Sequence, residues 1–215
     1  MSLLELTEQE IIRRQALEEM RQLGINPYPN EPFEVNCKTT EILEKYDDSI
    51  KNFQQVSIAG RLMTKRIMGS ASFAELQDEH GRIQLYLNRD EICPGEDKTT
   101  YNVLFKKLSD IGDIVGVTGY VFITKMGEIS IHVKTFKMLS KSVRPLPIVK
   151  EKDGVIYDAF TDPEQRYRNR SLDLIVNPQN RLIFINRTKL VNTMRNFLNE
   201  KGYWEVETPI LQPIY

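Results

Sequence analysis

Metal and covalent chemistry draw mostly on cysteine and histidine, and this chain is poor in both. Its 215 residues include two cysteines, Cys37 and Cys93, and two histidines, His80 and His132. The cysteines are far apart and form no CxxC pair, so neither a disulfide framework nor a zinc site is expected. Recognition chemistry is better represented. Phe73 offers a flat ring on which an unpaired base can stack, and Gln84 an amide that both donates and accepts hydrogen bonds. Arg61, Lys65, Arg66, Glu75 and His132 lie in the same stretch, and Arg166, Arg168 and Arg170 recur at every second residue further on. Each has a plainer reading. Phe73 could be a core aromatic, Gln84 a solvated strand residue, and Arg61 with Glu75 a surface ion pair across strands. Lys65 and Arg66 could be a solvated loop, and His132 a strand residue with a satisfied hydrogen bond. The three arginines could serve salt bridges to Asp162, Glu164 and Asp173; they share one side only if their segment is extended.

The elements that must position these groups follow from period and punctuation. Residues 5–23 read as a helix opened by a Thr7–Glu10 capping box, with Ile11, Ile12, Leu17, Met20 and Leu23 at helical spacing and Gly24 as its stop. Pro27, Pro29 and Pro32 impose an extended tract, and a second short helix is expected over 39–46. The period then changes to two, the mark of half-buried strands. It runs through Val56, Ile58, Gly60 and Leu62; through Ile83, Leu85 and Leu87; through Val115, Val117, Gly119, Val121 and Ile123; and through Ile129, Ile131 and Val133. Phe73–Asp78 reads as a further strand, turned by Glu79-His80-Gly81 into the next. Met126-Gly127-Glu128 turns the last hairpin, and residues 99–109 are helical with Leu104, Phe105 and Leu108 inward.

Three strands, a helix and two strands is the order of the OB-fold, a five-stranded Greek-key barrel whose face binds oligonucleotides; another small barrel or sandwich is the alternative. The fold class is then α+β, mostly β. Residues 1–53 form an N-terminal helical extension, 54–138 the barrel, 139–176 an aperiodic linker or hinge, and 177–215 the start of another domain. That last part has Asn177-Pro178 opening a long helix and Trp204, Val206, Pro209 and Leu211 beginning a strand. The helix carries a broad apolar stripe, including Leu190, Met194 and Phe197, with little left in the chain to cover it.

Composition bounds the rest. Lys and Arg number 29 against 30 Asp and Glu, a net charge of −1, which argues against a polybasic binder while leaving room for a local basic patch. The start, Met1 to Glu5, has no apolar h-region, and no run of about 18 apolar residues occurs. A cytoplasmic protein without a membrane segment is expected.

Several colinear stretches resemble bacterial-type class II lysyl-tRNA synthetases. They are Ala59–Asp78, Gly81–Tyr86, Gly127–His132, Arg144–Pro147 and Asp162–Ile175; Phe197–Pro209 resembles motif 1 of the class II enzymes. Ser171 stands where the family usually has tyrosine, a minor packing change. The resemblance implies an enzyme that activates lysine with ATP and transfers it to the 3′ end of tRNA-Lys. The sequence stops after motif 1, before motifs 2 and 3, which hold ATP, magnesium and lysine in this family. No catalytic or metal-ligating residue is therefore expected in this stretch, and it should be inactive alone.

What the resemblance assigns is the anticodon. Phe73 would stack on the central uridine of the uridine-rich anticodon of tRNA-Lys, and Gln84 would meet its edge. Arg61, Glu75, Arg66 and His132 would support base or phosphate contacts. Arg166, Arg168 and Arg170 would lie at the hinge near tRNA and the subunit interface. Leu190, Met194, Phe197 and Pro209 would border a homodimer interface, or the helix stripe would pack on the rest of the catalytic domain. Two alternatives remain: a stand-alone single-strand binding module without catalysis, and an aspartyl- or asparaginyl-tRNA synthetase. Leu23-Gly24-Ile25 and the Arg66–Phe73 segment look like the lysine enzyme instead.

Overall fold

A computed structural model describes residues 6–147, 150–152, 155–157 and 160–211. The alternating stretches form β1 (Val56–Met68), β2 (Ala71–Gln77), β3 (Arg82–Asn88), β4 (Ile114–Ile123) and β5 (Ile129–Ser140). They close in the order β1-β2-β3-β5-β4, the OB-fold expected from the element order. Closure leaves no edge to pair with another chain. Val56, Ile58, Leu62, Ala74, Leu76, Ile83, Leu85, Leu87, Val115, Val117, Val121, Ile131 and Val133 point inward and are at most 2% exposed. Two close crossings make the closure possible. β1 bends from its pairing with β4 to its pairing with β2 near Gly60, where a Cβ would stand 2.5 Å from the Gln77 carbonyl oxygen. On β4, a Cβ on Gly119 would lie 2.0 Å from the His132 oxygen.

The helical stretch between β3 and β4 becomes α3 (Arg89–Ile92) and α4 (Thr100–Leu108), the second wound as a π-helix. Tyr101, Leu104, Phe105 and Leu108 of α4 are buried, and the Tyr101 hydroxyl lies 2.7 Å from Ser72 Oγ. This helix fills one end of the barrel.

The N-terminal segment packs into the same core, with Ala16, Met20, Cys37 and Ile42 buried. α1 (Glu8–Gln22) opens with the expected Thr7–Glu10 capping box, and α2 spans Thr39–Lys45. The buried face of α1 is not the expected aliphatic stripe. Ile11, Ile12 and Leu23 are 39%, 45% and 48% exposed, while Arg13 is 5% exposed. The Arg13 guanidinium donates to the carbonyls of Ile111, Ser142 and Arg144 at 2.9, 3.3 and 3.3 Å. A cation that can satisfy several otherwise orphaned carbonyls is worth more inward than an isoleucine is. Beside it, Lys141 and Asp113 are both fully buried and paired at 3.0 Å, with Asp110 as a second partner of the lysine.

The chain divides into two compact units, through Pro145 and from Leu146. In the second unit, the stretch read as an aperiodic linker contains a two-stranded ladder, β6 (Lys150–Lys152) with β7 (Val155–Tyr157); Asp153 and Gly154 lie outside the described residues. Then come α5 (Pro163–Arg168), α6 (Arg170–Val176) and α7 (Pro178–Glu200). Pro178 takes the first turn of α7 as expected, but Asn177 makes no side-chain cap. Its amide donates instead to the Phe160 carbonyl and to Asp173. The strand expected at Trp204–Leu211 does not form. An extended segment becomes a strand only where a neighbour takes up its backbone groups.

Candidate nucleic-acid interface

The two-residue period puts Phe73 and Glu75 of β2, and Gln84 and Tyr86 of β3, on the outer face. The register pairs them directly, Phe73 with Tyr86 and Glu75 with Gln84. Phe73 is half-buried rather than sealed inside. It lines an open pocket of about 440 Å³ together with Thr64, Lys65, Arg66, Ala74, Glu75, Gln84 and Glu128. Ring and amide thus share one cleft on one face of the sheet. Arg66 is the cross-strand neighbour of Phe73 and exposes its cation at the rim. Such a cleft offers a stacking surface, a donor–acceptor edge and a positive charge, the three things an unpaired nucleotide requires.

Gln84 does not wave in solvent. Its Nε2 donates to Glu128 Oε2 at 2.7 Å, and its Oε1 accepts from Ser130 Oγ at 2.8 Å. Glu128 comes from the turn between β4 and β5, brought close because β3 and β5 run parallel with Gln84 opposite Ser130. Glu75 is held by Arg82 at 3.4 Å.

Three expected residues stand elsewhere. Arg61 is opposite Gln77, beyond the pocket, and donates to the Gly112 carbonyl at 2.6 Å; it pairs with neither Glu75 nor the cleft. Lys65 lines the cleft with its stem, but its ammonium turns away to the carbonyls of Phe105, Lys106 and Ser109. It caps the C-terminal end of α4, where unsatisfied carbonyls gather. Burial pushes this lysine below its usual pKa, with Asp110 opposing. His132 is 7% exposed, with Nε2 at 3.2 Å from Glu91 and Nδ1 lacking a protein partner. Burial lowers its pKa against the pull of Glu91.

His132 belongs instead to an aromatic band that period alone did not reveal. Phe73 meets Tyr86 at 5.3 Å, Tyr86 meets His132 at 4.9 Å, and His132 stacks on Tyr120 at 4.8 Å and 8°. Phe122 joins Tyr86 at 5.9 Å. The band crosses β2, β3, β5 and β4, and its members are brought together by register between strands distant in sequence. Tyr86 and Glu128 each sit two residues or fewer from a residue singled out in the sequence, yet carry no signal until strands are paired.

In the second unit, Arg166 and Arg170 converge on Asp173, at 3.0 and 2.6 Å, with Asn177 and Asn180 as its other donors. The Arg170 guanidinium also lies over the Tyr167 and Phe184 rings at 4.7 and 5.4 Å. Arg168 points elsewhere and pairs with Glu164 at 2.8 Å. The segment is helical, so the three arginines fan out rather than share one side. On α7, Leu190, Met194 and Phe197 are 62%, 58% and 58% exposed, and Pro209 is exposed too. Among the described residues no group of three histidine, cysteine or carboxylate side chains could hold a metal.

Comparison with known proteins agrees with this division. A family model described as an OB-fold nucleic acid binding domain matches residues 56–139, and one described as tRNA synthetases class II (D, K and N) matches residues 162–215. A lysine–tRNA ligase of Porphyromonas gingivalis is 58% identical over 215 residues, 100% of this chain and 37% of that protein. One of Christiangramia forsetii is 57% identical over 211 residues, 98% of this chain and 36% of that protein. One of Azobacteroides pseudotrichonymphae is 54% identical over 209 residues, 97% of this chain and 42% of that protein. The chain therefore spans well under half the length of these relatives. A barrel with a nucleotide-sized cleft, followed by a class II segment and matched throughout at such identity, places the chain in the lysine–tRNA ligase family of class II synthetases.

Proposed function

We propose that the barrel binds the anticodon loop of tRNA-Lys and that the chain serves ATP-dependent attachment of lysine to that tRNA. The observation that carries the reading is the shared cleft of Phe73 and Gln84. A ring half-open to solvent beside a held amide is a costly arrangement for a surface without a ligand, and it fits an unpaired uracil, which needs a π-face and a donor–acceptor edge. Arg66 at the rim supplies charge for the adjoining phosphate, and Tyr86 extends the stacking surface. Arg166 and Arg170 act as struts around Asp173, with Arg168 left to the surface. ATP and magnesium belong to the chemistry of the whole enzyme, in the cytoplasm where tRNA is charged, and no residue of this chain is assigned to hold them. The exposed α7 stripe, with Leu190, Met194, Phe197 and Pro209, is read as the surface a second copy covers in the homodimer.

Phe73→Ala tests the central claim. Removing the ring should weaken binding of a tRNA-Lys anticodon stem-loop by about 1–3 kcal/mol, the usual worth of a base–aromatic stack, with the far-UV spectrum unchanged. Titration by fluorescence anisotropy reads the difference, and equal affinity for the variant and the unaltered chain refutes the assignment. The class II model also covers aspartate and asparagine enzymes, so a tRNA-Asp stem-loop is the control. Tighter binding of that loop would favour the aspartate reading.

A further inference from the structure

We infer that Glu128 sets the polarity of the Gln84 amide and so makes the cleft select uracil over cytosine; this rests on the anticodon reading above. A carboxylate oxygen only accepts hydrogen bonds. Glu128 Oε2 lies 2.7 Å from Gln84 Nε2, so the nitrogen must face it. The flipped amide would set oxygen against oxygen at that distance. Ser130 Oγ, 2.8 Å from Gln84 Oε1, does not decide the matter, because a hydroxyl can donate to an oxygen or accept from an N–H. Glu128 therefore locks the orientation and Ser130 tolerates either. With both contacts made, Gln84 still has one N–H and one oxygen lone pair to give to a ligand.

Polarity matters because the two pyrimidines are opposites along the edge concerned. Uracil presents an acceptor at O4 beside a donor at N3–H, and cytosine a donor at N4–H beside an acceptor at N3. A base stacked on Phe73 in one pose meets the amide of Gln84 in one order. The order that satisfies uracil leaves cytosine with donor facing donor and acceptor facing acceptor. If the amide could flip, it would read both. The lock thus turns an ambidextrous side chain into a selective one, through a residue on the β4–β5 turn that need not touch the base.

The test uses the 215-residue chain and two anticodon stem-loops that differ only in uridine or cytidine at the central position, with affinities read by anisotropy. The unaltered chain should prefer uridine by roughly 10-fold or more, the usual discrimination of one two-point contact. Glu128→Gln keeps the shape but accepts or donates equally well, so the ratio should fall toward parity. Losing a negative charge beside RNA raises both affinities together and leaves the ratio alone. Ser130→Ala should weaken both loops and keep the preference. The inference is overturned if Glu128→Gln retains the full uridine preference, if Ser130→Ala is the variant that abolishes it, or if the unaltered chain binds both loops equally. That last result would leave anticodon binding itself standing. Failure of the unaltered chain to bind either loop overturns the anticodon reading, and this inference with it.

Discussion

The outer face of the barrel and the stripe of α7 both show apolar surface, but in different ways. On the barrel, Phe73 and Tyr86 are half-buried, packed on each other and framed by Arg66, Glu75 and Gln84. On α7, Leu182, Ile183, Leu190, Met194 and Phe197 are at least 50% exposed, and Trp204 beyond it is 89% exposed. A small apolar spot ringed by polar groups suits a flat ligand with a polar edge. A long aliphatic stripe suits another protein surface, since such patches are rarely left to water. The difference teaches that exposure alone says little; the company an exposed ring keeps indicates what it is for.

Three measurements would break or sharpen this contrast. The largest effect belongs to the closed interior. Leu85 is fully buried, and Leu85→Ala should cost about 2–5 kcal/mol of stability. Denaturant unfolding followed by far-UV circular dichroism would read it, because the single tryptophan, Trp204, lies outside the barrel and reports poorly on it.

Next is the turn that ties β2 and β3 to α2. Asp78 accepts from the Thr39 hydroxyl and from the backbone N–H groups of Thr39, His80 and Gly81. Burial pushes its pKa up, yet these bonds outweigh it and hold the carboxyl below the usual 3.8. Asp78→Ala should cost about 1–3 kcal/mol at neutral pH, the cost of leaving such donors unpaired. The sign of the pH effect follows from the lowered pKa. The ionised group stabilises the fold above the unfolded-state value, and that contribution is lost as pH falls below it toward the folded value. The thermal midpoint of Asp78→Asn should therefore vary less with pH below about 4 than that of the unaltered chain.

The smallest effect on folding belongs to the stripe. Met194→Glu should change barrel stability by less than about 0.5 kcal/mol, as surface substitutions do. It should nevertheless abolish concentration-dependent self-association in sedimentation velocity. A monomeric unaltered chain at every concentration would show that a second copy does not cover α7 in this chain.

Much of the barrel was legible in the sequence because its signals are local. Alternation over Val56–Leu62, Ile83–Leu87 and Val115–Ile123 named the strands, and Thr7 with Glu10 named the start of α1. Parity alone placed Phe73 and Gln84 on a common face. The failures share one cause. Lys65 reads as a loop cation until α4 brings its carbonyl end alongside. Arg61 reads as a partner for Glu75 until Gly112 and Arg82 take the two apart. Arg13 reads as a surface charge on a helix until the loops at Ile111 and Ser142 present their oxygens to it. The expected strand at Trp204 lacked only a partner, which no local pattern can supply.

The sequence by itself determined which residues alternate, which cap, and which ring and amide face the same way, because those properties depend on neighbours along the chain. The tertiary structure alone decided that Glu128 would meet Gln84, that His132 would slide beneath Tyr120, and that a lysine would close a helix rather than greet a phosphate. Those outcomes depend on strand register and chain crossing, where residues tens of positions apart compete for the same hydrogen bonds, and the winner is set by geometry that no short stretch contains.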